Sequence, residues 1–273
     1  MFQFQHRRAW FALLAYFLLT LALTYPLLGH FTTHVAGDGS DDPALAWNLW
    51  WAPYSILNLG SSPLYTDYMF FPIGLNLAFY TLTYLNAFLS IPFQFAWDII
   101  PAANINLILS FTLSGFGAYL LVTYLLRQTF LNETRRNAEE RGKGTQWIPF
   151  YILFLLKIFD SPKPPFKYGF LLGLFLLAQA LSEFIFASFL ILFSIAFVIY
   201  QLGATRGKIK NPKSKIINLA LAVLVFTLPM LPILAAMLSD TLTEGDFIQQ
   251  GLGFANIFSA DLTGFFVPSH LHP

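Results

Sequence analysis

The stretch "GFLLGLFLLAQALSEFIFASFLILFSIAFVIYQL", Gly169 to Leu202, runs for 34 residues with a single charge, Glu183. As one helix it would be about 50 Å long, against about 30 Å of bilayer hydrocarbon. Folded back on itself it makes a tight hairpin of two crossings, with Glu183 near the hairpin's outer end. The rest of the chain has the same character. Apolar residues make up 56% of it and charged residues 11%, less than half the share usual in soluble domains. Such a composition predicts an all-α protein embedded in a membrane.

Working outward from the hairpin, 216–238 predicts a further span, kinked by Pro229 and Pro232. Upstream, 104–126 predicts another, with small residues at "SGFGAY" for close helix contact; Gly115, Gly117 and Gly173 are expected at helix interfaces. The first apolar run, 9–28, follows His6, Arg7 and Arg8 and ends without a small-residue cleavage pattern. It predicts a signal-anchor helix rather than a removable leader. Phe79 to Trp97 is long enough to cross, whereas Trp147 to Phe159 has the length of an interfacial or re-entrant piece. No cysteine is present, which excludes disulfides and thiolate sites.

Basic residues set the orientation. If neither of those two segments crosses, every Lys and Arg falls on one side: Arg7 and Arg8, the run 127–143, Lys157 to Lys167, and 206–215. By the positive-inside rule that side is the cytoplasm, and the N-terminus lies there. The expected order is therefore a span at 9–28, an outer loop at 29–102, a span at 104–126 and a cytoplasmic loop at 127–146. After these come the interfacial or re-entrant 147–159, the hairpin 169–202, a span at 216–238 and an outer segment at 239–273. "RGKIKNPKSK", Arg206 to Lys215, then reads as a topology signal facing anionic lipid, not a nucleic-acid site.

The outer loop begins with "HVAGDGSDDPALAWNLWW", His34 to Trp51. Asp42 before Pro43 has the pattern of a helix N-terminus. From there Trp47, Trp50, Trp51 and Tyr54 fall on one helical face and are expected as interfacial anchors at the headgroup level. Asp38 and Asp41 would then sit just above the membrane, where a base can meet a substrate whose head is carried on a lipid.

A first span, an acidic motif opening a large outer loop, and juxtamembrane helices together resemble the GT-C superfamily of membrane glycosyltransferases. "GDGSDDPALAWNLWW", "PLYTDYMFFPIGLNLAF", "TQWIPFYILFLL" and "ADLTGFFVPSHLHP" are similar to uncharacterised bacterial multi-spanning proteins grouped with it. The resemblance covers most of the chain, in patches. It implies a GT-C-like fold of about five transmembrane helices plus interfacial helices in the outer loop, in a bacterial inner or plasma membrane. It implies a sugar donor carried on polyprenyl phosphate, and membrane lipids as surroundings. Carried over to this chain, the catalytic base is Asp38 or Asp41, and a single displacement inverts the anomeric centre. Asp67, Glu183 and Asp261 would position substrate.

Two departures from the family pattern stand out. Between "YLLRQ" and "TQWIPF" the relatives carry a further crossing and an outer loop with basic and histidine residues; here "TFLNETRRNAEERGKG" takes its place. The relatives also continue beyond "SHLHP", so the resemblance implies a truncated, internally shortened chain. Plainer readings stand beside each site residue. Asp38 and Asp41 could simply keep positive charge off the outer face, Glu183 could point into headgroup water, and Asp261 could be a loop-turn aspartate. His30, His34, His270 and His272 lack a carboxylate companion at metal-site spacing and read as interfacial polar residues. No cofactor is indicated, and participation of a divalent metal stays open.

No phosphate loop, dinucleotide fingerprint, HExxH or serine elbow occurs. Two function classes lead. One is a glycosyltransferase acting at the outer face. The other is a non-catalytic membrane protein that binds lipid-linked saccharides or helps carry them. A transporter, with Glu183 as its sensitive carboxylate, is third.

Overall fold

The computed structural model describes residues 2–37, 42–80, 83–131, 146–205 and 210–243. These residues are mostly helical. In chain order they form α1 (Phe2–Leu23), α2 (Tyr25–Gly29), α3 (Asp42–Leu57), β1 (Tyr65–Thr66), β2 (Leu75–Asn76), α4 (Tyr84–Ala96) and α5 (Ile99–Leu131). Then come α6 (Ile148–Asp160), α7 (Phe166–Ser182), α8 (Phe184–Ala204) and α9 (Pro212–Thr243). The two strands pair antiparallel, Tyr65 with Asn76 and Thr66 with Leu75, a small addition to an otherwise helical chain.

The 34-residue apolar run is split at one residue. Glu183 is extended, with φ −161° and ψ 102°, and closes α7 while opening α8. Among the described residues, three helices are long and apolar enough to cross a membrane: α5, α8 and α9. Two apolar helical stretches, Arg8–Leu23 and Phe166–Ser182, are shorter. The outward face of α8 carries Ile185, Phe189, Leu192, Ile195 and Ile199, all exposed. A helix apolar around its whole circumference is suited to hydrocarbon rather than water.

Contacts along the helices fix their directions. Gly115 of α5 meets the Tyr16 ring of α1, and Thr112 donates to the Thr20 hydroxyl, so α1 and α5 are antiparallel. Gly117 meets the Phe150 ring, and Lys157 lies over the Tyr124 ring, so α6 runs alongside α5 in the same direction. Tyr124 donates to the Asp160 carboxylate at 2.7 Å. The other end of α6 meets the far end of α7, where Trp147 Nε1 donates to Ser182 Oγ at 3.1 Å. Trp147 to Phe159, expected as an interfacial or re-entrant piece, thus forms a helix that buries Tyr151, Leu155 and Ile158 within the bundle.

The contact between α7 and α9 is the closest. Gly169 and Gly173, one turn apart, present bare backbone to α9: a Cβ on Gly169 would lie 2.3 Å from the Asn218 carbonyl oxygen, and one on Gly173 2.5 Å from that of Ala222. Asn218, with no exposed surface, locks this register. Its Oδ1 accepts from Gly169 N–H at 2.8 Å, while its Nδ2 donates to the Pro164 and Ser214 carbonyls. Backbones this close maximise dispersion where no hydrophobic force separates protein from lipid. Gly173 and Gly115 thus face neighbouring helices as expected; Gly169, not singled out from the sequence, completes the pair.

These directions place every described Lys and Arg side chain at one end. Arg8, Lys157, Lys163, Lys167, Lys210, Lys213 and Lys215 gather there with Asp160; Lys215 Nζ donates to the Phe159 carbonyl. At the opposite end α5 and α9 run on past the α7–α8 turn. Around the start of α5, α3 and α4 pack through Leu49, Ala52 and Ala87. Asp240 of α9 accepts from Asn76 Nδ2 at 2.8 Å, tying the strand pair to the bundle.

Gly173→Ala forces a Cβ into the α9 backbone and is expected to cost about 1–3 kcal/mol. Thermal unfolding in detergent should show a lower midpoint than the parent chain. Gly203→Ala, where nothing lies within 4 Å, should leave the midpoint unchanged or raise it.

Candidate functional site

The end of the bundle that carries α3 and α4 holds a cavity of about 150 Å³. Its roof is the first two turns of α3: Asp42, Leu45, Ala46 and Leu49. One wall is α5, which turns Asn106, Ser110 and Ser114 toward the space, four residues apart and therefore on one helical face. The floor is Ser182 and Glu183 at the α7–α8 turn, and Thr83 and Asn86 of the α4 N-terminus close another side. Val35 and Ala36 complete it. Apolar surface dominates, with a few convergent polar groups, the usual make-up of a small-molecule site.

Asn104 fixes the entrance. It is 1% exposed, and its side chain meets three backbone groups of the segment that leads into the acidic stretch. Nδ2 donates to the carbonyls of Phe31 and His34, both at 2.8 Å, and Oδ1 accepts from Ala36 N–H at 3.4 Å. The described chain breaks off at Gly37 and resumes at Asp42. These two residues touch: a Cβ on Gly37 would lie 1.6 Å from Asp42 Oδ2. Both ends of the acidic stretch are therefore held against the cavity wall.

Behind the wall, Gln146 is 2% exposed and its amide nitrogen reaches Asn86 Oδ1 at 3.4 Å and Ser182 Oγ at 3.5 Å. Its Oε1 has no hydrogen-bond partner among the described residues. Tyr84 has the same property nearby. Its buried hydroxyl lacks a partner, and burial pushes that hydroxyl above its ordinary pKa.

Of the expected site residues, Glu183 lines the cavity. Asp67 lies exposed in the β1–β2 connection and does not. Asp38, Asp41 and Asp261 lie outside the described residues, as do Glu244, Asp246, His270 and His272. His30 and His34 stack edge to face at 5.0 Å, and no group of three or more potential metal ligands occurs among the described residues.

The tryptophan face differs from expectation in one member. Trp51 is 1% exposed and donates its indole N–H to the Pro63 carbonyl at 3.0 Å. It stacks on Trp47 at 5.4 Å and packs on Leu77 from the strand pair. A side chain so covered reaches no headgroup, so Trp51 is core and not an interfacial anchor. Trp47, Trp50 and Tyr54 stay partly exposed around it. Residues the sequence reading passed over, Asn86, Asn104, Asn106 and Ser182, supply most of the cavity's neutral polar groups and its clamp.

No family model, curated protein or solved structure matches the chain.

Asn104→Leu leaves partly buried backbone groups at Phe31, His34 and Ala36 unsatisfied and should destabilise by about 1–3 kcal/mol. Limited proteolysis should then cut faster between residues 31 and 42 than in the parent chain. Tyr84→Phe removes an unpartnered hydroxyl and should leave stability unchanged or raise it by about 1 kcal/mol, read from the same unfolding curves.

Proposed function

We propose that the chain is a GT-C-like glycosyltransferase of a bacterial inner or plasma membrane, with its site at the outer face. The sugar comes from a polyprenyl-phosphate donor. In this reading the basic end is cytoplasmic; α1, α5, α7, α8 and α9 cross, and α6, which runs from Ser182 to the basic end, lies along α5 between the same two faces. The cavity then lies about 25 Å above the basic end, measured along α7, which is near the outer edge of the hydrocarbon. The observation that carries the reading is that Asn104 and the Gly37–Asp42 contact hold both ends of the acidic stretch against a cavity with a few convergent polar groups.

The chemistry asks for one carboxylate. Asp38 or Asp41 takes the proton of the acceptor hydroxyl as its oxygen bonds to the anomeric carbon. The bond from that carbon to the phosphate oxygen breaks, and polyprenyl phosphate leaves with the electron pair. No covalent enzyme intermediate is required. Glu183, on the floor, and Asp261 orient the ring; Asp67 has a lesser, positioning part.

One observation favours a second reading. No Lys, Arg or His is among the residues lining the cavity, so the described residues offer a donor phosphate no positive partner. A non-catalytic protein that binds lipid-linked saccharides, or helps carry them, needs none at this point. The two readings separate in one experiment, with the full chain in lipid nanodiscs. Asp38→Asn or Asp41→Asn is expected to slow release of polyprenyl phosphate by about a hundredfold or more while membrane insertion is unchanged. Donor lipid that is retained but never turned over, with both variants behaving like the parent, would establish the binding protein instead.

A further inference from the structure

We propose that Lys157 and Lys167, at the corner where α6 gives way to α7, hold the phosphodiester headgroup of an anionic phospholipid, whose acyl chain follows Phe166, Phe170 and Leu174 along α7. This corner lies at the end of the bundle away from the cavity, and its chemistry is independent of what the cavity binds.

Lys157 is not placed like the other lysines of this end. It is half-buried on the last turn of α6, with Nζ 4.9 Å from the centre of the Phe154 ring, 5.6 Å from that of Tyr124 and 5.9 Å from that of Tyr168. Lys167, on the first turn of α7, comes to the same Tyr168 ring, also at 5.9 Å. Three ring faces fix where the Lys157 ammonium sits. Tyr168 thereby gathers two cations that repel each other, and an anion placed between them turns that repulsion into attraction. Asp160, the described carboxylate of this end, accepts from Tyr124. The connection between the two lysines is held as well. Asn211 Nδ2 donates to the Pro162 carbonyl at 2.8 Å and Ser214 Oγ to that of Pro164 at 3.3 Å. Pro162, Pro164 and Pro165 restrict its backbone further, so a headgroup meets a corner already set.

Charge and apolar surface together select the ligand. Seven described Lys and Arg side chains stand against Asp160 at this end. The stretches 132–145 and 206–209, which flank it in sequence, carry six cations and three glutamates, so the balance is positive by sequence as well. Beside Lys167, Phe166, Phe170 and Leu174 recur every fourth residue on one face of α7, and all three are exposed. Because α7 runs from this end toward the cavity, that track leads inward from the membrane face, as an acyl chain does. Free phosphate has no use for it, whereas a phospholipid has both parts.

The test uses the full chain in phosphatidylcholine nanodiscs. The probes are phosphatidylglycerol and phosphatidylcholine with the same photoreactive acyl chain, and labelled peptides are read by mass spectrometry. Labelling of 166–174 is expected to favour phosphatidylglycerol by about fivefold or more, and Lys157→Gln with Lys167→Gln to bring that to about twofold or less. Lys210→Gln with Lys213→Gln removes equal charge from the same end and should leave the preference unchanged, as should Lys157→Arg with Lys167→Arg. Lys167→Gln alone serves if the first pair does not insert. Inorganic phosphate in excess, at constant ionic strength, should not compete. Equal labelling by the two lipids, equal loss in both glutamine pairs, or label concentrated elsewhere overturns the site. Loss of the preference to inorganic phosphate would assign the two lysines to a free anion and overturn the lipid.

Discussion

Asn104 holds two parts of the chain about seventy residues apart in a single geometry, and the arrangement of the end that carries α3 and α4 follows from it. An amide at 1% exposure near the start of a long apolar helix has no water to turn to. Its donors and acceptor must be met by protein, and the loop after α2 is what meets them. The loop in turn gains a fixed path: Phe31, His34 and Ala36 lie against α5, and Gly37 arrives beside Asp42. From that point α3 can start over the cavity, and the tryptophan face can find Pro63 and Leu77. Remove the amide and the roof has no reason to sit where it does.

The lower part of the molecule is held by a different force. Gly169 and Gly173 let α7 lie with its backbone against the backbone of α9, and Asn218 sets which turn meets which. Dispersion between close surfaces does this work, with one buried asparagine for register. The part around α3, α4 and the strand pair relies instead on stacked aromatics and hydrogen bonds from Trp51, Asn76 and Gln94 to groups across the fold. α5 and α9 run through both parts. The cavity lies where the two regimes meet, at the α7–α8 turn.

Much of the lower part was legible. A 34-residue apolar run cannot cross once, so a hairpin was required, and the bend fell at its one charged residue. Helix contacts at Gly115, Gly117 and Gly173 followed from small residues in apolar helices. Asn104 was not legible as a clamp, because a polar residue at the end of an apolar run looks the same whether it faces headgroups or protein. The signal lay in the next turns: Asn106, Ser110 and Ser114 repeat every four residues, and a polar stripe on such a helix marks a wall that faces neither lipid nor packed core. Trp51 was misread for a related reason. An aromatic face has one pattern whether lipid or a loop covers it, and only the strand pair at 65–76 decides the matter. Those strands are two residues long, too short to leave a period in the sequence.

The distribution of charge links the fold to the chemistry. Every described Lys and Arg side chain lies at one end and the cavity near the other, so no described cation lines it. Phosphate recognition at this site would have to come from groups other than the lining residues, and sugar recognition would not. The polar part of its lining is Asp42 and Glu183 together with Asn, Ser and Thr groups that both donate and accept. A ring rich in hydroxyls can return each hydrogen bond it displaces, which an alkyl chain cannot.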